Sequence, residues 1–111
     1  MSERIEAEQS SGNVFEDLGL PDAEELYAKT ALAIRISKII KRRNLKQKEA
    51  AAILGIDQPK VSAILGGKLH GFTMERLFKF LNALDRDVEI IIKKKPSSRS
   101  LARTFIGQHA V

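Results

Sequence analysis

The chain has 111 residues, 43% apolar and only 5% aromatic, with no cysteine and a net charge of +5. This length suits one small, mostly helical domain with tails, so no second, catalytic domain is expected. The lack of cysteine excludes a disulfide framework and thiolate chemistry, and no apolar run is long enough for a signal peptide or a membrane span.

Charge is distributed unevenly along the chain. Residues 1–28 carry one base against eight acids, whereas residues 29–111 carry 18 Lys and Arg against six acids. A basic body of this kind attracts phosphate backbones through many weak contacts, while an acidic leader either stays solvated or binds a basic partner. A soluble, cytoplasmic protein associated with the nucleoid is therefore expected. Three regions are anticipated: an acidic leader at 1–21, a folded domain at 22–93 and a basic tail at 94–111.

The first 13 residues are polar and without periodicity, which predicts disorder in the free chain. The next stretch, VFEDLGL, concentrates Val14, Phe15, Leu18 and Leu20 around Glu16 and Asp17. Such an apolar cluster in a polar leader either docks on its own domain or binds a partner. From about Asp22 to Arg43 the pattern is helical: Leu32, Ile36, Ile39 and Ile40 make one apolar stripe, with Arg35, Lys38, Lys41, Arg42 and the apolar Ile34 facing outward.

Residues 45–68, LKQKEAAAILGIDQPKVSAILGGK, read as two short helices joined by a tight turn. Gln47 opens the first, Ala50 and Ala51 keep its inner face small, and Leu54 closes its stripe. Gly55 supplies the left-handed backbone that ends a helix and redirects the chain without a Cβ penalty. Asp57 can cap the second helix, Pro59 is tolerated in its first turn, and Val61 and Ile64 point back inward. Any packed helix pair needs small and apolar residues, but this order and spacing in one frame constrain a single interhelical angle, as in a helix-turn-helix.

After a glycine-rich loop, Thr73 can cap a helix from Met74 to about Asp85 with Leu77, Phe80, Leu81 and Leu84 buried. Val88, Glu89, Ile90, Ile91 and Ile92 form a β-branched segment too short for a helix and read as a single strand, which cannot satisfy its own backbone. Lys93, Lys94, Lys95 and Pro96 stop it. The tail that follows places Leu101, Phe105 and Ile106 at roughly helical spacing, and weak or partner-dependent order is expected there.

Residues 45–84 resemble the Cro/C1-type helix-turn-helix of phage repressors and XRE regulators. With the flanking phrases SSGNVFEDLGLPDAEE, GIDQPKVSAIL and GFTMERLFKFLNALDRDVEI, the chain over about residues 10–93 looks like small XRE-type antitoxins of the HigA class. The resemblance implies an all-α fold, a five-helix Cro/C1-type domain followed by one short C-terminal strand used in dimerisation. It also implies a homodimer that represses its own operon on double-stranded operator DNA and neutralises a RelE-like ribonuclease, a small basic toxin.

Carried onto this sequence, the recognition helix runs from Gln58 to about Leu65 and enters the major groove by its N-terminal end. Gln58 and Lys60 have the reach for base edges, adenine and guanine respectively, Ser62 can go to either, and Pro59 and Ala63 can touch a thymine methyl. Gln47 matches the family position that bonds a phosphate, and Lys68 and the N–H groups near Thr73 would clamp the backbone. Lys46 departs from the usual Ser or Thr cap, giving up about 1 kcal/mol while adding a possible phosphate contact. The strand Val88–Ile92 is the expected dimer contact, and Val14, Phe15, Glu16, Asp17, Leu18 and Leu20 are the expected toxin-binding surface.

Two alternatives stay open: a free-standing XRE regulator with no toxin, and a protein-interaction adaptor that does not bind DNA. RNA binding fits the charge but lacks exposed aromatic residues for base stacking. No enzyme, metal or cofactor is expected, because His70 and His109 are far apart in sequence and have no paired carboxylate or phosphate-loop spacing nearby.

Overall fold

The computed structural model describes residues 23–107. Their four helices are α1 (Ala23–Arg42), α2 (Gln47–Leu54), α3 (Gln58–Leu65) and α4 (Met74–Ala83). None of them is long and apolar enough to cross a membrane. The leader residues assigned to toxin binding, Val14 to Leu18 and Leu20, lie outside the described residues, as does His109.

Two compact units make up the chain. One contains residues 29–88; the other includes 23–28 and 89–107 among the described residues. The core of the first is the apolar set expected from periodicity. Ile36, Ile39, Val61, Ile64, Leu77 and Leu84 are all but fully buried, and Leu32, Ile40, Ala50, Ala51, Leu54, Phe80 and Leu81 join them. Helix α2 packs on both α3 and α4. Alanine at positions 50 and 51 lets those backbones approach without a large side chain between them. Ile34 stands outward, 49% exposed, on the side opposite the stripe.

All four helices end by the same device. A residue in left-handed conformation follows each: Asn44 (φ 55°), Gly55 (φ 73°), Gly67 (φ 76°) and Asp85 (φ 65°). In each case the next residue's N–H reaches back to a carbonyl of the last turn: Leu45 to Ile40 at 3.0 Å, Ile56 to Ala51 at 3.1 Å, Lys68 to Ala63 at 2.8 Å and Arg86 to Leu81 at 2.9 Å. These bonds satisfy carbonyls that have no intrahelical donor. Only glycine takes the left-handed region without a steric penalty, so Asn44 and Asp85 hold it at some cost.

The second unit is less regular. Glu24, in the first turn of α1, accepts from Arg103 Nε at 2.9 Å and from the Thr104 N–H at 3.0 Å. Phe105 lies 5.2 Å from the Arg99 guanidinium. The helical spacing of Leu101, Phe105 and Ile106 does not produce a helix; this stretch is held instead by its contacts with the α1 end.

Two expectations are corrected. Among the described residues there is neither a fifth helix nor a C-terminal strand. The left-handed Asp85 terminates α4, and the β-branched run beyond it and then Pro96 disfavour another helix. Val88–Ile92 forms no ladder because the described residues provide no second strand to pair with, and a strand is made by such pairing. Ile90, Ile91 and Ile92 are 70%, 67% and 92% exposed.

Candidate nucleic-acid interface

Helix α3 is built to present one face. Val61 and Ile64 are buried, while Gln58, Pro59, Lys60 and Ser62 are exposed and Ala63 is half-buried. Its N-terminus is fixed by Asp57, whose Oδ1 accepts the Lys60 N–H at 3.0 Å. Pro59 costs nothing here, since a first-turn residue has no carbonyl to donate to. Side chains along the open N-terminal end of such a helix are free to reach a ligand.

Asp57 makes a second contact. Its Oδ2 lies 3.3 Å from Lys60 Nζ, with both side chains about half exposed. The Lys60 backbone N–H foremost, then the Lys60 side chain, hold the Asp57 carboxyl below the usual aspartate range. It is therefore ionised at neutral pH. Lys60, singled out as a base reader, is thus paired with a carboxylate in the free protein.

At the start of α2, Lys46 occupies the cap position with extended backbone (φ −75°, ψ 159°). An ammonium has no lone pair to offer the helix, yet the turn is not left open. Glu49 Oε1 accepts the Lys46 N–H at 2.7 Å, the reciprocal half of a capping box. The departure at Lys46 is therefore partly compensated, and both Lys46 and Gln47 stay exposed at this end.

Thr73 caps α4 as expected, its Oγ1 accepting the Arg76 N–H at 3.1 Å. The hydroxyl proton remains available to a phosphate. Lys68 is exposed on the loop before it. Sequence reasoning passed over Arg76, whose guanidinium sits 5.0 Å from the Phe72 ring and 5.5 Å from Phe80. The two rings meet edge to face at 6.0 Å. The Arg76 guanidinium is thereby held against the two rings, in the first turn of the helix that Thr73 caps. The spacing of Phe72, Arg76 and Phe80, four residues apart at each step, was the signal that could have found it.

The acids within this region are largely occupied by their own helices. Glu49 caps α2 and Asp57 caps α3, while Glu75 lies 3.8 Å from Lys79. Exposed Lys46, Lys48 and Lys68 thus dominate the field that an approaching polyanion meets. Val88, Glu89, Ile90, Ile91 and Ile92, the expected dimer contact, stand half-exposed or exposed and make no ladder. His70 is exposed in a turn, and no group of three or more His, Cys, Asp or Glu among the described residues is placed to hold a metal.

Comparison with known proteins agrees with this geometry. A family model described as a helix-turn-helix domain matches residues 14–93. A solved structure named for the XRE family of transcriptional regulators is 54% identical, with a TM-score of 0.76, and the match covers 80% of this chain and 100% of that one. No curated protein matches.

Proposed function

The chain belongs to the helix-turn-helix family matched over residues 14–93, with an XRE-family regulator as structural neighbour, and on that premise we propose that it is a sequence-specific DNA-binding repressor. The observation that carries this reading is the two-sidedness of α3: Val61 and Ile64 lock the helix to the core while Gln58, Lys60 and Ser62 stand exposed along its capped end. In this reading Gln58 and Lys60 address base edges, with Ser62, Pro59 and Ala63 filling in around them. Lys46, Gln47, Lys68 and Thr73 hold phosphates and set the register. Arg76 joins that second group. No catalytic step is assigned to any residue.

The experiment is selection of duplexes from a random pool with the full chain, followed by binding of the selected site and its shuffled version. Preference for the selected site supports the reading. Equal affinity for both removes sequence-specific recognition.

The repressor acts as a homodimer in this proposal. Support comes from the three exposed isoleucines at 90–92, whose backbone has no ladder among the described residues. Antiparallel pairing of Val88–Ile92 with a second copy would cover them and satisfy both edges. Recognition helices would then lie about one DNA turn, roughly 34 Å, apart.

The same protein is proposed to be an antitoxin. An acidic leader carrying VFEDLGL precedes a domain with a core of its own, and a ribonuclease toxin must be basic where it meets RNA. Glu16 and Asp17 would compete for that surface, with Val14, Phe15, Leu18 and Leu20 as apolar anchors. Copurification of a small basic ribonuclease with this chain from its native host tests the pairing; recovery of the chain without one favours a free-standing regulator.

A further inference from the structure

Resting on the reading that α3 recognises DNA, we infer that Asp57 is a specificity-determining residue that acts with Lys60 as one charge-balanced reader of a G·C base pair. The two side chains meet at 3.3 Å, three residues apart, at the open end of the helix. Oδ1 of Asp57 is committed to the Lys60 N–H, but Oδ2 keeps an acceptor position after taking the ammonium. Two of the three Lys60 ammonium donors also remain. The pair therefore offers an acceptor directly beside donors.

In the major groove a G·C pair presents two acceptors, guanine N7 and O6, beside one donor, cytosine N4. Lys60 matches the first two and Asp57 the third. An A·T pair interleaves its single donor between acceptors and ends in a methyl group, so it cannot satisfy both side chains in that order. The carboxylate also determines what is rejected. Against phosphates, Asp57 cancels the Lys60 charge and adds repulsion, which lowers sequence-independent binding. Over a G·C pair the same carboxylate finds a donor. An exposed ion pair of this spacing does little for stability, so its consequence falls on recognition.

Asp57→Asn is the direct test, because asparagine caps a helix as well as aspartate while the charge is lost and the second acceptor becomes an N–H donor. The wild-type protein first selects its preferred duplex from a random pool. Affinities for that duplex, for versions with single pairs exchanged and for a shuffled duplex are then measured for wild type, D57N, Lys60→Gln and the double variant. The expected wild-type site contains a G·C pair whose exchange to T·A weakens binding at least about fivefold. D57N should bind the shuffled duplex more tightly, steepen its salt slope by about 0.9 and lose most of the preference at that pair. In the Lys60→Gln background, D57N should change that preference no further.

Asp57→Ser provides a second capped variant should D57N fold poorly. Unchanged preference in a folded, capped variant overturns the inference, as does an equal loss with and without Lys60. A wild type that binds selected and shuffled duplexes equally defeats the underlying DNA-recognition reading instead, and so separates the two failures.

Discussion

Asparagine, aspartate and glycine at helix ends decide much of this molecule residue by residue. Gly55→Ala places a Cβ at φ 73° where no neighbouring atom crowds it, so the cost is backbone strain, about 1–2 kcal/mol in chemical denaturation. Asp85→Gly removes the same strain at φ 65° and should stabilise by up to about 1 kcal/mol, the gain limited by the freer unfolded glycine. At the interface, Gln58→Ala should cost about 1–3 kcal/mol on the selected duplex and much less on random DNA. Lys68→Ala should weaken both similarly and flatten the salt slope by about one; equal losses on both duplexes for Gln58→Ala would remove it from the readout. Asp57 adds a pH signature. Its folded carboxyl titrates below the usual aspartate range, through the Lys60 N–H first, so its stabilising contribution is present above the unfolded pKa of about 3.9 and is lost as pH falls through the lower folded value. The stability gap between wild type and Asp57→Ala should therefore be full at pH 6 and shrink below pH 4 or so; a gap that widens on acidification contradicts the assignment. Most of these positions were legible as sequence, since Asp57, Pro59, Gly55 and Thr73 act through local chemistry. Asn44 and Asp85 were not, because neither residue type demands a left-handed backbone, and the Lys60–Asp57 pair was hidden behind the separate roles given to its members.

At the scale of elements, α2 and α3 begin at Gln47 and Gln58, where the sequence places them, because caps and a turn glycine fix those ends chemically. Helix α4 stops at Ala83, before the expected Asp85, because Asp85 takes the left-handed backbone that ends it, and Leu84 is buried from the turn that follows. The five-helix count and the strand came from resemblance and from β-branching, and neither is realised among the described residues. β-Branched residues prefer extended backbone, but a ladder requires a second backbone that the described residues do not supply. Pairing with a second copy is the element-level prediction. Ile90→Pro removes a ladder donor and should shift sedimentation from dimer to monomer, with much weaker binding to the selected duplex. A mutant that sediments as a dimer would place the contact elsewhere. Leu101, Phe105 and Ile106 have roughly helical spacing but form no helix, and Glu24 binds Arg103 and the Thr104 N–H beside them.

For the whole molecule, the contrast between an acidic leader and a basic remainder organises the proposed function, with DNA and a basic toxin drawn to opposite charges. Deleting residues 1–20 should leave the selected duplex bound and abolish toxin neutralisation. Intact neutralisation by the truncated protein would remove the leader from the toxin surface, and a truncated protein that fails to fold would assign Phe15 and Leu18 to a core. The fold legible from sequence was the helix-turn-helix and its apolar stripe; the proposed pairings of Val88–Ile92 and of the leader involve other chains, which no periodicity within this one encodes. Sequence-specific recognition through α3 is the central claim, and fluorescence anisotropy of the full chain on its selected duplex and on a shuffled duplex, across a salt series, tests it most directly. Binding to the selected duplex should be about a thousandfold tighter or better, with both affinities falling as salt rises. Equal affinities across the series, or no binding to either duplex at low salt, would contradict it.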